Sequence, residues 1–351
     1  MADVGPVAVL GAGAMGTALA LHLARSGADV ALLATDHDGP VVEAWRRRAP
    51  HPALLLPFHD VACHPPQRWP DVLPRARLVV VAVSSGGLAT VLAGAREQAD
   101  PEVWVLATKG WEPESLCTPS EVAAEVLGDA PVVSLAGPGI AAEIAGGAPT
   151  GLLCVARDRA IRRLAAHALT GPMLMVFTSP DLPGAETASA FKNVVAVAVG
   201  LAEGLAERVS RSGVTRGYGN ARGAVFARGM LDMQRLVEAR GGRSSTVLGL
   251  AGAGDLYVTC QHGRNGRFGR LLGQGLTVEG AVGAIGSTVE GVANTAAAIR
   301  LADRCGIDLP SARIVEEALR QKLTDDKAVE RLREVFLTAL SIDGAVPLTL
   351  T

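Results

Sequence analysis

Only four lysines stand among the 33 basic residues of this 351-residue chain: Lys109, Lys192, Lys322 and Lys327. Arginine stays protonated in proteins, whereas a lysine amine can release its proton, so lysines that persist against an arginine bias mark candidates for acid–base work. Lys192 lies in AFKNVVAVAVGLAEGL, where Phe191, Val194, Val195, Ala198 and Leu201 line one helical face. Val195, Ala196 and Val199 follow Lys192 itself at helical spacing, so its own face is apolar too. A helix that is apolar all round is buried. Lys192 and Asn193 then need polar partners or a ligand, because burying them alone is costly, and burial favours the proton release a general acid needs. The alternative is a lysine that snorkels from a helix end. Lys109 closes the strand-like VWVLAT, at the carboxyl end of a strand where doubly wound folds bind ligands. It could equally be an exposed loop lysine. Lys322 and Lys327 fall in the polar helical stretch RQKLTDDKAVERLRE and read as solvated.

The glycines supply a second set of candidates. Gly11-Ala12-Gly13-Ala14-Met15-Gly16 follows the apolar PVAVL and opens the helical TALALHLARSG, which is GxGxxG between strand and helix. Such a turn lets backbone N–H groups approach a pyrophosphate at a helix N-terminus. Asp36 lies about 20 positions further on, where an acid accepts from the adenosine ribose, and this favours NAD over NADP. Alternatively, Asp36 only caps the loop DHDGP. Gly137-Pro138-Gly139 offers backbone donors to an anion or to the nicotinamide end of a cofactor, or is a structural turn. GLAGAGDLYVTCQHGRN combines close-approach glycines with the Asp255 carboxylate, the Thr259 hydroxyl and the donors of Arg264 and Asn265, a pair suited to phosphate oxygens. Taken alone it could be a Gly-rich loop with solvated charges.

The elements that must position these residues change character along the chain. PVAVLGAG, ADVALLAT, ARLVVVAV, VWVLAT, PVVSLAG, LLCVA and MLMVF read as short strands alternating with Ala/Leu-rich helices. That alternation predicts an α/β fold, a Rossmann-type doubly wound parallel sheet with helices on both faces. From about Pro183 long helical patterns take over, so a mostly α-helical C-terminal domain is expected. The division falls in SPDLPG, giving a dinucleotide-binding domain over 1–183 and a substrate-binding, catalytic domain over 184–351. The formal charge of −2 and the lack of a basic block exclude nucleic acid as a partner. Cys63, Cys117, Cys154, Cys260 and Cys305 lack CxxC spacing and the seven histidines lack ligand spacing, so no disulfide framework or metal site is expected. The chain shows no leader, and its apolar stretches look too short or too Gly-interrupted to cross a bilayer. A cytoplasmic protein without membrane insertion is expected.

In GAGAMGTALA, ATKG, AGPGIAAEIAGGAPT, AFKNVVAVAVGLAEG, NARGAVFARG, GLAGAGDL and TVEGVANTAAAIRLA the chain resembles the NAD(P)-dependent glycerol-3-phosphate dehydrogenases over nearly its whole length. The resemblance implies hydride transfer between NAD(P)H and dihydroxyacetone phosphate, a small phosphorylated substrate, with a homodimer as a candidate assembly. It implies that Lys192 is the proton donor and acceptor, assisted by Lys109 and Asp255. It places Gly11, Gly13, Met15, Gly16, Asp36, Lys109, Ala141, Arg264 and Glu290 at the cofactor. Lys109, Gly137, Gly139, Lys192, Asn193, Asp255, Thr259, Arg264 and Asn265 would hold substrate. The chain departs from the family where Met15 replaces an aromatic, Ser84 a proline, Gly139 a serine and Thr35 an arginine. The loop before Arg264 is about two residues short, and segment 207–218 looks inserted. Two other readings stay open: a sister dehydrogenase acting on another phosphorylated or acidic hydroxy compound, and a non-catalytic dinucleotide sensor. The sensor has no need of lysines at 109 and 192.

Overall fold

The structure, a computed structural model, describes residues 5–209, 218–286 and 288–320, with positions 330, 331, 334, 335 and 337. Lys322, Lys327 and most of the inserted segment lie outside the described residues. The chain forms two compact units, Met1–Leu182 and Pro183–Thr351.

The first unit is built on eight strands: β1 (Val7–Leu10), β2 (Val30–Leu33), β3 (Ala62–His64), β4 (Leu78–Val81), β5 (Val103–Leu106), β6 (Val132–Ala136), β7 (Thr150–Val155) and β8 (Leu174–Ser179). Their order is β3-β2-β1-β4-β5-β6-β7-β8. The central strands β1, β4 and β5 are buried at every residue, because helices cover both faces. Alternation divides them: Val7, Val9, Leu78, Val80, Val103 and Val105 join one core, while Ala8, Leu10, Val79, Val81, Trp104 and Leu106 join the other. The chain leaves β1 towards β2 and leaves the neighbouring β4 towards β5 on the opposite side. The connections that leave their carboxyl ends diverge, and doubly wound sheets bind ligands in the crevice at such a point.

Two sequence expectations need correction. Strand β3 was not foreseen, since Ala62-Cys63-His64 is too short to carry an alternation. The sheet is also not wholly parallel: β7 runs antiparallel to β6, and β8 then pairs parallel to β7. The β6–β7 connection contains only the six-residue helix Ala141–Gly146. Such a helix advances ~9 Å, well short of the ~17 Å of a five-residue strand, so it does not carry the chain back to the starting edge.

The second unit contains no strand among its described residues. It starts with helix Leu182–Val209, whose first turn holds Pro183 and Gly184, the residues that read as a linker. Proline is tolerated there because the first-turn N–H has no helical partner. This helix also corrects the membrane reading. Leu182–Arg208, with a mean hydropathy of 1.3, is long and apolar enough to cross a bilayer, yet 94% of its apolar window is buried within the protein. It packs backbone to backbone against helix Arg264–Gly273, where a Cβ on Gly200 or Gly269 would collide with the carbonyls of Gly266 and Val197. Helix Gly219–Ala239 carries the buried pair Arg228–Asp232, and Asp232 also accepts the Ser311 N–H at the start of helix Pro310–Arg320.

Two buried histidines tie the first unit together as neutral rings. His22 bonds the Leu169 carbonyl at 2.9 Å, and His51 bonds the Ala12 carbonyl at 3.0 Å. Burial lowers the proton affinity of both below the ordinary value of 6.5. The unfolded chain therefore takes up protons near pH 6.5 while the folded chain does not, so stability is full above that value and falls as pH drops below it. Urea midpoints measured from pH 7.5 to 5.5 should decline, and His22→Gln should flatten part of the slope. A midpoint insensitive to pH over that range would refute the neutral-ring assignment.

Candidate active site

Each glycine of the turn after β1 answers a different demand. Gly11 has φ +97°, and a Cβ there would lie 2.6 Å from the Ala82 carbonyl oxygen, so the fold itself requires glycine. A Cβ on Gly16 would strike the Gly11 carbonyl, so this glycine seats helix Ala14–Arg25 on the turn. Gly13 is unlike either. Its φ of −66° suits any residue, and a Cβ would meet nothing within 4 Å. Nothing in the protein demands glycine there, which fits a cradle kept open for a pyrophosphate. The first N–H groups of a helix such as Ala14–Arg25 lack intrahelical partners, which suits such a turn to an anion.

Asp36 is exposed in the loop after β2. The carboxylate that turns towards the glycines is that of Asp38, which accepts from the Thr35 N–H and hydroxyl, both at 2.8 Å, and from the Ala12 N–H at 3.1 Å. Sequence reasoning missed Asp38, although the Thr35-x-x-Asp38 spacing was the available signal.

The carboxyl ends of β4, β5 and β6 are joined by side chains. Thr108 donates to the Val83 carbonyl at 2.9 Å, and the Lys109 ammonium donates to the Gly137 carbonyl at 2.9 Å. Lys109 is half-buried, and Gly137 holds φ +103° as the chain leaves β6. Ala141 opens the short helix that follows. Gly139 faces Met15: a Cβ there would lie 3.5 Å from the Met15 methyl carbon, so two of the departures from the family pattern are neighbours.

In the second unit Lys192 finds the partners its burial demands. It is 7% exposed, and its ammonium donates to Asp255 Oδ1 at 2.6 Å and to Thr259 Oγ1 at 3.2 Å. Thr259 in turn donates to the Asp255 carbonyl at 2.6 Å. Asp255 and Thr259 are four apart on helix Asp255–His262 and so share one face. A π-helical turn, Leu250–Gly254, precedes that helix and sets Asp255 at its first position. Gly252 belongs to this turn because a Cβ would collide with the Val247 carbonyl. Asp255 is 1% exposed, so each of the two charges offsets the desolvation of the other.

A chain of amides starts at Asn193, the residue after Lys192. Gly291 N–H donates to Asn265 Oδ1, Asn265 Nδ2 to Asn193 Oδ1, and Asn193 Nδ2 to Glu290, each at 2.9 Å. The backbone donor fixes the orientation of both amides. Arg264 and Asn265 do not form the expected donor pair: Asn265 is buried in this chain of bonds, whereas Arg264 is exposed at the start of helix Arg264–Gly273. Asn294, which donates to the Ala190 carbonyl at 3.2 Å, was not singled out from the sequence. No group of histidine, cysteine and acidic residues that could hold a metal occurs among the described residues.

Residues 6–161 match the family described as NAD-dependent glycerol-3-phosphate dehydrogenase N-terminus, and residues 181–330 the family described as its C-terminus. The chain is 37% identical over 341 residues to a glycerol-3-phosphate dehydrogenase (NAD(P)+) of Enterobacter sp. (strain 638), covering 95% of this chain and 94% of the relative. Identity is 38% over 333 residues with that of Stenotrophomonas maltophilia (strain K279a), covering 93% of this chain and 94% of the relative. The crystal structure of glycerol-3-phosphate dehydrogenase from Coxiella burnetii matches with a TM-score of 0.82 at 31% identity, over 94% of this chain and 99% of that one.

Removing one member of a buried ion pair strands the other charge, at a cost of about 3–5 kcal/mol. Asp255→Ala should lower stability in urea by that order, and the double variant Lys192→Met, Asp255→Leu should recover most of the loss. Equal destabilisation of both variants would show that the pair is not coupled.

Proposed function

The chain belongs to the NAD-dependent glycerol-3-phosphate dehydrogenase family, and from that premise we propose that it interconverts dihydroxyacetone phosphate and sn-glycerol 3-phosphate, with Lys192 as the proton donor and acceptor. The reaction consumes dihydroxyacetone phosphate, NAD(P)H and one proton, and yields sn-glycerol 3-phosphate and NAD(P)+. When bound, the nicotinamide supplies the hydride. The observation that carries the proposal is the buried Lys192 ammonium, held by Asp255 and Thr259 on a helix that runs through the core. In the reducing direction Lys192 gives its proton to the oxygen of the central carbonyl as charge develops there, and in the oxidising direction it takes that proton back. Asp255 holds the amine in place, while Thr259 fixes its direction. An amine kept out of water and aimed in advance needs no reorganisation at the moment of reaction.

The remaining roles follow from placement. The first unit carries the dinucleotide at the Gly11–Gly16 turn, where the open side of Gly13 leaves room for the pyrophosphate. Lys109, anchored on the Gly137 carbonyl, sets the carboxyl ends of β5 and β6. Two carboxylates in the loop after β2, Asp36 and Asp38, favour NAD by repelling the 2′-phosphate of NADP. The second unit carries substrate. Arg264 and the N–H groups at its helix start suit the phosphate, while Asn193 and Asn265 brace the wall beside Lys192.

Reduction of dihydroxyacetone phosphate, followed by loss of NADH absorbance, tests the reading, with NADPH as the comparison. Lys192→Ala should bind NADH as the parent does and lose about 10³-fold in kcat. Lys192→Arg should fail likewise, because a guanidinium does not release its proton. Turnover within tenfold of the parent in either variant would remove Lys192 from the proton-transfer role.

A further inference from the structure

Ala12, inside the glycine turn, is held at both its N–H and its carbonyl by side chains that belong to neither the glycine motif nor the acid–base group. We propose that Asp38 and His51 are positioning residues that set this turn for the dinucleotide before it binds. The proposal rests on the reading that the dinucleotide occupies the turn.

Ala12 is fully buried. Its N–H is taken by Asp38 Oδ2, the oxygen that also holds the Thr35 N–H and hydroxyl. Its carbonyl accepts from His51 Nε2 at 3.0 Å and from the Thr17 hydroxyl at 3.1 Å. The direction of the histidine bond is fixed by the other ring nitrogen. His51 Nδ1 accepts the N–H groups of Ala53 and Leu54 at 3.1 and 3.2 Å, so the ring's one proton resides on Nε2 and is donated to Ala12. The ring is 1% exposed and stands edge-on to buried Phe58, with centroids 5.2 Å apart and an interplanar angle of 77°. The loop closes around it, with Leu55 N–H on the His51 carbonyl and His51 N–H on the Leu56 carbonyl.

Peptide planarity converts this grip into a function. In a trans peptide the carbonyl and the following N–H point in opposite directions. Drawing the Ala12 carbonyl inwards, onto His51 and Thr17, turns the Gly13 N–H outwards, on the residue where a Cβ would meet nothing. Asp38 meanwhile removes the Ala12 N–H from competition and anchors the turn to the loop after β2. An anion arriving at the turn meets donors already aimed at it, so less of its binding energy is consumed in ordering the backbone.

NADH titration by fluorescence and steady-state kinetics on the full chain test the proposal, with Gly13→Val as the control for the site. Gly13→Val, whose Cβ meets nothing within 4 Å, should abolish NADH binding. Asp38→Ala and His51→Leu should each raise the NADH Kd and KM about tenfold while kcat at saturating NADH holds. His51→Gln, whose amide can still donate to Ala12, should recover most of that loss. Asp38→Asn keeps the shape with a weaker acceptor and should give a smaller rise, which serves if Asp38→Ala does not fold. An unchanged Kd in the Asp38 and His51 variants, or a His51→Gln no better than His51→Leu, overturns the proposal. Normal NADH binding by Gly13→Val would instead defeat the underlying reading of the turn, and the proposal with it.

Discussion

A charged amine buried in an apolar helix must be answered by an opposite charge, and in this chain the answer is Asp255, 2.6 Å from Lys192. Much of the second unit follows from that one contact. The helix bearing Lys192 runs through the core, which leaves that residue only 7% exposed. Its partner must come from another segment, brought near by the glycine-to-glycine contact between helices Leu182–Val209 and Arg264–Gly273 and by the π-helical turn that ends at Asp255. Extra width in a helix at such a place is a local cost accepted to aim one carboxylate.

The first unit meets its own requirement by different means. A backbone anion site needs donors that are uncovered and aimed, and a side chain on the central glycine would block the approach. The three glycines of the turn divide the work: one adopts a left-handed conformation, one seats a helix, and one leaves space. Side-chain bonds from outside the motif then hold Ala12, between the first two of them in the chain, at its N–H and its carbonyl.

The sequence made the lysines legible for a physical reason. An ionisable residue amid valines and alanines at helical spacing has few structural excuses, so the need for a partner at Lys192 could be read without coordinates. Which partner could not. Asp255 and Thr259 lie more than sixty residues away, and Thr259, read as a substrate ligand, is bonded to the lysine. Arg264 and Asn265 read as a pair because they are adjacent, yet adjacent helical residues point about 100° apart, and one is buried while the other is exposed. Asp38 was passed over for Asp36 because the path of a loop, which decides between carboxylates two apart, is not written in periodicity. The strand β3 and the reversal at β7 escaped for a similar reason: three residues show no alternation, and the direction of a strand depends on how far its connection reaches. Helix Leu182–Val209 shows the opposite limit, since length and apolarity alone do not separate a core helix from a membrane span.

Proton transfer by Lys192 depends on where its amine lies when both reactants are bound. A crystal structure with NAD+ and glycerol 3-phosphate measures that directly. It should show Lys192 Nζ about 3 Å from the oxygen on the central carbon of the substrate, with Asp255 still on the amine. A complex in which another group contacts that oxygen, and Lys192 remains out of reach of it, would contradict the assignment.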